Sequence, residues 1–323
     1  MREYRLDLAL VAANRILNLV VVNSLETDNG PPTVAPVDLV RDAVINPHPF
    51  KFVLAEFDIC SYRRPDVFVL VVVHSAPVNF KQRMLIRQTW GSQRFYQQVK
   101  TVVIFAMGIS TDRSLTKAIQ LESDQYRDII QEDFIDAYKN LTYKAVMWLR
   151  WVSHYCPEAQ FVLKVDDDIF VNVFNMASHF FNLHRRNLVN SSSIFCLVWD
   201  GMLVQRDTTN KWYISKEEYQ SKFFPKYCSG AAYIISKDLI RPMYEASLRI
   251  KFFWIDDIYV TGFLANAISA NFIDIAQLYV LLHEELEEKL IKGYAMFGHA
   301  PGSLNTLWQL WKGVQEQRGL VET

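Results

Sequence analysis

Three consecutive aspartates, Asp166, Asp167 and Asp168, are residues whose type and spacing directly suggest chemistry. In an extended chain alternate side chains face the same way, so Asp166 and Asp168 could converge on one cation while Asp167 points aside or caps the next turn. Carboxylate oxygens suit Mg²⁺ or Mn²⁺. The alternative is a solvated acidic turn. Largely apolar segments at residues 161–165 and 169–171 flank the cluster, and because unpaired buried charges are costly, a bound cation is favoured.

Glycine-rich phosphate-binding loops are absent from the sequence. Neither G-x-G-x-x-G nor G-x-x-x-x-G-K-[ST] occurs, and the chain has only 11 glycines. A bound diphosphate would therefore have to be neutralised by a metal ion and by side chains. An Asp-x-Asp cluster without such loops favours nucleotide-sugar chemistry over an ATPase or a dehydrogenase.

Charge and cysteine content argue against several other classes of protein. Lys and Arg number 34 against 35 Asp and Glu, so no global field attracts nucleic acid, and no nucleic-acid partner is predicted. The four cysteines form no C-x-x-C pair, which argues against zinc ribbons and thioredoxin-type redox sites. One or two disulfides stay open, and Cys156 and Cys228 are expected to be structural. Sequons at Asn140 and Asn190 fit a secretory lumen or are surface turns.

Strand and helix patterns alternate around the aspartates. Residues 66–73, 101–107 and 161–165 are mostly apolar, β-branched runs, typical of strands buried on both faces of a parallel sheet. Residues 79–90 and 140–155 have helical patterns. The alternation predicts an α/β fold with a Rossmann-like, mainly parallel sheet flanked by helices. Ligands of such sheets bind beyond the carboxyl ends of strands, where the aspartates lie.

The second half of the chain is less regular. Strands are predicted at residues 194–198, 231–236 and 272–275, and helices at residues 237–249 and 257–270.

The N-terminal region differs from the remainder of the chain. An apolar run at residues 8–22 is interrupted by two asparagines and an arginine, and falls short of the roughly 20 apolar residues of a spanning helix. It is a degraded anchor, a poor signal segment or an amphipathic helix. Turn formers at residues 24–37 indicate a linker. We therefore predict an N-terminal segment of anchor and stem at residues 1–60 and a single catalytic domain at residues 61–323.

Several sequence blocks together resemble a known family. They are RQTWG at 87–91, DFID at 133–136 with YKNLTYK at 138–144, FVLKVDDDIFVN at 161–172, KWY at 211–213, PKYCSGAAY at 225–233 and DDIYVTG at 256–262. In their order and spacing the sequence resembles the β-1,3-galactosyltransferases and β-1,3-N-acetylglucosaminyltransferases of glycosyltransferase family 31, and more distantly the Fringe enzymes. The blocks span roughly residues 65–310.

The resemblance implies a fold, an activity and a location. It implies a GT-A fold, a UDP-sugar donor, Mn²⁺, and inversion at the anomeric carbon with a β-1,3 product. It also implies a Golgi membrane enzyme of type II topology with a lumenal catalytic domain, acting on a glycan acceptor of a glycoprotein or glycolipid. Whether the donor sugar is galactose or N-acetylglucosamine is open.

The resemblance also implies the metal ligands and the catalytic base. Asp166 and Asp168 match the metal-binding Asp-x-Asp, with Asp168 the direct ligand, and His299 matches a late histidine that completes the site. Asp257 matches the base of the family, and the positive end of a helix beginning there should keep it ionised. Taken without the motif, Asp257 is an ordinary helix cap and His299 a hydrogen-bonded structural histidine.

Other matched residues are expected to contact the two substrates. Those on the donor side are Arg87, Thr89, Trp90, Asp166 and Asp167. Those on the acceptor side are Trp212, Tyr213 and Asp256, of which the last replaces a glutamate of the family. Aromatic rings stack on sugar faces, although many aromatic residues of a chain so rich in them belong to the core.

One block departs from the family. The Ser-Gly-Gly or Ser-Gly-Thr turn of the family is Ser229-Gly230-Ala231-Ala232 in this sequence, and alanine adopts a positive φ with difficulty, so the acceptor side is expected to differ. Two rival functions are a non-catalytic relative that binds a nucleotide sugar or glycan and assists an active partner, and a metal-dependent phosphohydrolase. Retention of Asp257 with the aspartate cluster argues against the first, and the order of the other blocks against the second.

Overall fold

A computed structural model describes residues 43–92, 99–186, 192–300 and 304–320. The predicted apolar run and linker near the N-terminus, and the sequon at Asn190, lie outside these residues.

The described residues form eleven strands in two sheets. In chain order the strands are β1 (Phe52–Leu54), β2 (Val69–His74), β3 (Thr101–Ile109), β4 (Ile129–Ile135), β5 (Phe161–Asp166), β6 (Ile169–Val171), β7 (Ser193–Trp199), β8 (Tyr227–Ser236), β9 (Asn271–Asp274), β10 (Tyr279–Val280) and β11 (Phe297–His299). The main sheet has the order β1-β4-β3-β2-β5-β8-β7-β9, in which β1 and β8 run antiparallel to their neighbours. The small sheet has the order β10-β11-β6.

Helices cover both faces of the main sheet. They are α1 (Phe80–Gln88), α2 (Arg113–Tyr126), α3 (Leu141–Tyr155), α4 (Val173–Arg185), α5 (Lys237–Ser247), α6 (Ala265–Ala267), α7 (Leu286–Ile291) and α8 (Leu304–Gln317). Helices α3 and α5 pack on one face, where Leu70 and Val72 of β2 point. Helices α1, α4 and α8 pack on the other face, against Val71 and Val73. Since alternate residues of β2 enter two separate cores, the strand is apolar from Val69 to Val73.

The predicted α/β class and mainly parallel sheet are confirmed. The predicted strands and helices all occur, with ends moved by up to a few residues. One helix differs in kind: residues predicted as a helix at 257–270 form a π-helical segment, Ile258–Leu264, followed by α6. The helix ends early, and Ser269 has a left-handed φ of 56°.

The predicted domain boundary after residue 60 does not coincide with the edge of the sheet. Strand β1 pairs with β4, and the backbone amides of Ile45 and Asn46 donate to the carbonyl of Leu248. Cys60 forms a disulfide with Cys156 of the α3 C-terminus. The described part of the predicted N-terminal segment therefore packs on the catalytic domain.

All four cysteines are paired, as Cys60–Cys156 and Cys196–Cys228. Of the one or two disulfides that the sequence allowed, two are present. Cys156 and Cys228 therefore have the structural role expected of them. Across the described ranges, no helix is long and apolar enough to cross a membrane.

Candidate active site

The aspartate cluster lies at the carboxyl end of β5. Asp166 is the last residue of β5 and pairs in register with His74, the last residue of β2. The chain then turns at Asp167 and Asp168 and continues as β6. The extended conformation expected for the cluster is therefore wrong: the turn gives each of the three carboxylates a different partner.

Asp166 is held by a buried lysine. The ammonium nitrogen Nζ of Lys164 donates to Asp166 Oδ1 at 2.6 Å and to the carbonyl of Gly230 at 2.5 Å. Burial would lower the pKa of Lys164, but the carboxylates of Asp166 and Asp256 outweigh it and raise that pKa above its ordinary value. Burial raises the pKa of Asp166 to about 7, with Lys164 opposing the rise. The lysine thus stays charged beside a carboxyl whose side chain is still 39% exposed.

Asp167 faces the loop that follows β2. Its Oδ2 accepts a hydrogen bond of 3.0 Å from Asn79 Nδ2, and its backbone amide donates to the carbonyl of His74. Burial raises the pKa of Asp167, opposed by hydrogen bonds from Ser75 and Asn79. Asp167 therefore points aside from its two neighbours, as expected.

Asp168 meets His299 across the small sheet. Strand β11 pairs antiparallel with β6 and places His299 opposite Ile169. The imidazole Nε2 of His299 lies 3.1 Å from Asp168 Oδ2. The structure therefore brings together two predicted metal ligands that are 131 residues apart in the chain.

The acidic turn fits part of a hard-cation site. Within the described residues, no group of three or more His, Cys, Asp or Glu side chains is close enough together to hold a metal ion. Asp168 and His299 nevertheless supply an oxygen and a nitrogen donor at one point. Mg²⁺ and similar cations at diphosphate sites take one or two protein carboxylates and complete their coordination with substrate oxygens and water. The pair fits that role.

Asp257 lies at the start of the π-helical segment. Its Oδ1 accepts a hydrogen bond of 2.8 Å from the backbone amide of Ile258. Burial and the neighbouring charge of Asp256 nevertheless raise the pKa of Asp257 to about 7. The expectation that the helix end keeps this carboxyl readily ionised is wrong, because burial outweighs the single amide. A carboxyl with a pKa near neutrality is well matched to general-base catalysis.

Strand β8 connects Asp257 to the aspartate cluster. A Cβ atom on Gly230 would lie 3.1 Å from Asp257 Oδ2, so glycine permits the close approach of strand and carboxylate. The carbonyl of the same glycine accepts from Lys164, which also holds Asp166. The predicted base and one predicted metal ligand are thus connected by three contacts, through Gly230 and Lys164.

The residues after Cys228 form a strand and no turn. Ser229, Gly230, Ala231 and Ala232 all belong to β8, and no alanine is among the residues of positive φ in the described chain. The expected conflict between alanine and a positive φ does not arise, because the backbone is extended.

Three predicted donor-side residues are engaged by other parts of the structure. Arg87 donates to Glu122 at 2.7 Å and to Asp128 at 2.8 Å, and its guanidinium lies over β3, with β2 between it and β5. The Thr89 hydroxyl donates to a carbonyl four residues earlier, and Trp90 is 1% exposed and belongs to a hydrophobic core. We therefore leave these three out of the proposed site.

The predicted acceptor-side aromatic residues lie on a loop that reaches the segment before Asp257. Trp212 Nε1 donates to the hydroxyl of Tyr138 at 2.8 Å, and the Tyr138 ring lies 6.2 Å from that of Trp254. Tyr213 follows Trp212 and is half-buried. Trp212 is therefore connected through Tyr138 to Trp254, which lies two residues before Asp256.

Comparison with known proteins agrees with the sequence blocks. A family model described as galactosyltransferase matches residues 81–276. The chain belongs to the galactosyltransferase family. The matched range includes the aspartate cluster and Asp257 but stops before His299. The predicted family resemblance is confirmed.

Named relatives carry related transferase activities. The chain is 35% identical to beta-1,3-galactosyltransferase 1 of Homo sapiens over 222 residues, 68% of this chain and 66% of that protein. It is 33% identical to UDP-GalNAc:beta-1,3-N-acetylgalactosaminyltransferase 1 of Homo sapiens over 275 residues, 81% of this chain and 78% of that protein. The alignment thus spans slightly less than two thirds of the galactosyltransferase.

A solved structure shows a distant likeness. It is a glycosyltransferase involved in the glycosylation of the major capsid of PBCV-1, with 11% identity and a TM-score of 0.41, covering 77% of this chain and 98% of that one.

Two residues beside the site, Lys164 and His74, are not among those predicted from the sequence. Lys164 is a charged residue inside an apolar strand, two positions before Asp166, and that position was a usable signal. His74 ends β2; its Nε2 accepts from Trp148 Nε1 at 2.9 Å, and its Nδ1 lies 3.8 Å from Asp256 Oδ2. Burial, with the charge of Lys164, holds the pKa of His74 well below its ordinary value. A neutral imidazole therefore stands beside the predicted acceptor-side aspartate, a proximity that no local pattern indicates.

Proposed function

We propose that this chain is an inverting, metal-dependent β-1,3-hexosyltransferase that moves a hexose from a UDP-sugar to a hydroxyl group of a glycan. Family membership supports glycosyl transfer in general. The observation that carries the finer proposal is the half-buried Asp257 carboxyl, which has a pKa raised to about 7 and is connected to Asp166 through Gly230 and Lys164.

Asp257 acts as the base in this proposal. The acceptor oxygen attacks the anomeric carbon, the bond from that carbon to the diphosphate oxygen breaks, and the acceptor proton passes to Asp257. Oδ1 of Asp257 accepts from the amide of Ile258, so we assign the proton to Oδ2. Attack opposite the leaving group inverts the anomeric carbon.

Asp168 and His299 would hold the cation, with Asp166 beside them. A divalent cation such as Mn²⁺ at this position would neutralise charge on the leaving diphosphate. Lys164 favours the ionised form of Asp166 through a direct hydrogen bond. Asp168 is therefore the direct carboxylate ligand, whereas Asp166 is shared with the lysine.

The donor sugar and the location complete the proposal. The uridine nucleotide is supported by the name of one relative, which specifies UDP-GalNAc. Galactose and N-acetylglucosamine are the predicted sugars, and that name adds N-acetylgalactosamine. Two disulfides fit an oxidising compartment, in agreement with the Golgi lumen and membrane expected from the resemblance. The acceptor is a glycan on a glycoprotein or glycolipid.

A donor panel tests the proposal. UDP-galactose, UDP-N-acetylglucosamine and UDP-N-acetylgalactosamine would each be incubated with Mn²⁺, with and without simple β-glycoside acceptors, and UDP release measured. We expect one donor to give acceptor-dependent release that a chelator abolishes. If a donor binds but no combination of donor and acceptor releases UDP, the result would favour the non-catalytic alternative. Phosphate release from simple esters without an acceptor would favour the phosphohydrolase.

A further inference from the structure

Thr261 forms hydrogen bonds to both the residue that carries the base and the neighbouring strand. It is fully buried and lies four residues after Asp257 on the π-helical segment. Its hydroxyl Oγ1 donates to the backbone carbonyl of Asp257 at 2.6 Å and accepts from the backbone amide of Cys228 at 2.9 Å. The hydroxyl therefore bridges β8 and the start of the helical segment.

The bridged part of β8 also contacts the remainder of the site. Cys228 is bonded to Cys196 of β7, which anchors this end of the strand to its neighbour. Two residues later, Gly230 approaches the Asp257 carboxylate and accepts from Lys164. A displacement of Asp257 relative to β8 would therefore change its distance from the lysine and from Asp166 together.

The helical form of the segment gives the Thr261 hydroxyl a conformational role. A π-helix occurs mostly as a single turn, frequently at functional sites. A threonine hydroxyl that bonds the carbonyl four residues earlier bends the local backbone. Thr261 does this while the amide of Cys228 fixes the hydroxyl from the other side.

We propose that Thr261 is a positioning residue that holds the Asp257 carboxylate at its catalytic distance by bridging β8 to the Asp257 backbone. The role rests on the proposed function of Asp257 as base. Thr261 touches neither substrate in this scheme and acts through Asp257 alone. A misplacement of about 1 Å at a reacting group can lower turnover by about 10²-fold.

Two substitutions at Thr261 and one control separate position from packing. Thr261→Val removes the hydroxyl and keeps the branched shape, whereas Thr261→Ser keeps the hydroxyl. We expect kcat to fall about 10- to 100-fold in T261V, with the donor KM within about twofold, and T261S to recover most of the turnover. Thr101→Val is the control, because Thr101 is equally buried and bonds a backbone carbonyl at the amino end of β3. T101V should keep normal kcat.

A purely structural role predicts a different result. It would change donor affinity and melting temperature alongside kcat, and T261S would not restore turnover selectively; that pattern would overturn the proposal. Should T261V not fold, Thr261→Ala takes its place in the comparison with T261S.

A double mutant tests whether Thr261 acts through Asp257. In the Asp257→Asn background, adding T261V should cause no further loss of turnover, since the base is already removed. A full additional loss would overturn the proposal. The two ideas also fail separately: high activity of D257N refutes the base assignment, whereas normal kcat in T261V beside an inactive D257N refutes only the positioning role.

Discussion

Two acidic clusters differ in their balance of charge. Beside α1, Glu122 accepts hydrogen bonds from both Arg83 and Arg87, and Arg87 also pairs with Asp128. Burial alone would raise the pKa of Glu122, but the two arginines bring it below its ordinary value. Two cations thus meet two carboxylates there. Burial still raises the pKa of Asp128 against the opposing effect of Arg87, but each carboxylate of this cluster has an arginine partner.

The aspartate site lacks that balance. Lys164 is buried among the carboxylates of Asp166, Asp256 and Asp257, and burial raises the pKa of both Asp166 and Asp257 to about 7. Perturbed carboxyls with too few cations are typical of sites that await a ligand or move a proton. The comparison teaches that the excess of negative charge, more than the number of charged residues, distinguishes the candidate active site from a structural ion-pair network.

The largest expected effect separates base from helix cap. Asp257→Asn should lower turnover by about 10² to 10⁴-fold with donor affinity nearly unchanged, since asparagine keeps the hydrogen bond but cannot take the proton. The matched control is Asp112→Asn, because Asp112 also caps a helix, accepting from Ser114 N at 2.8 Å on an exposed surface. Both variants would be measured for transfer rate, UDP-sugar affinity and melting temperature. D257N activity above about a tenth of normal would make Asp257 a cap like Asp112.

The next effect concerns the cation. UDP binding should require Mn²⁺ or a similar ion and collapse with chelator, as isothermal titration would show. Asp168→Asn should weaken Mn²⁺ affinity more than Asp166→Asn, because Asp168 lies beside His299 whereas Asp166 is bonded to Lys164. Unaltered metal affinity in both variants would remove the metal assignment.

A smaller effect on activity is expected from the balanced cluster. Glu122→Gln leaves two buried arginines short of a partner and should lower the free energy of unfolding by about 3–5 kcal/mol. Turnover per folded molecule should stay within about twofold, because two residues, Arg83 and Ser75, lie between Glu122 and Asp167. Urea unfolding beside kcat tests this. A loss of kcat without a loss of stability would place the arginine cluster in the active site after all.

The smallest effect is the pH dependence of the same cluster. Because the folded pKa of Glu122 is lowered, its contribution to stability is fully present above the unfolded value of about 4.3 and is lost as pH falls through the lower folded value. The difference in unfolding free energy between wild type and E122Q should therefore be constant near neutral pH and shrink below about pH 4. A difference that instead grows on acidification would contradict the ion-pair assignment.

The sequence alone determined those features that depend on local pattern. Mostly apolar, β-branched runs specify β2 and β5 as buried parallel strands, because a strand covered on both faces has little room for polar side chains, and Lys164 of β5 is the exception. The position of the aspartates directly after β5 then follows from chain order, and the matching blocks identify the family. Arg87 lies in such a block too, but a matching block predicts residue types and does not predict which atoms those residues contact.

Only the tertiary structure decided which charges share an environment. His299 reaches Asp168 because β11 pairs with β6. Lys164 and Asp257 share an environment because both approach Gly230 of β8. A pKa depends on burial and on charges a few ångströms away, and both come from segments distant in the chain. The helix start at Asp257 could be read locally and predicted an easily ionised carboxyl. Burial beside Asp256 reversed that prediction, since desolvation exceeds the contribution of one helix amide.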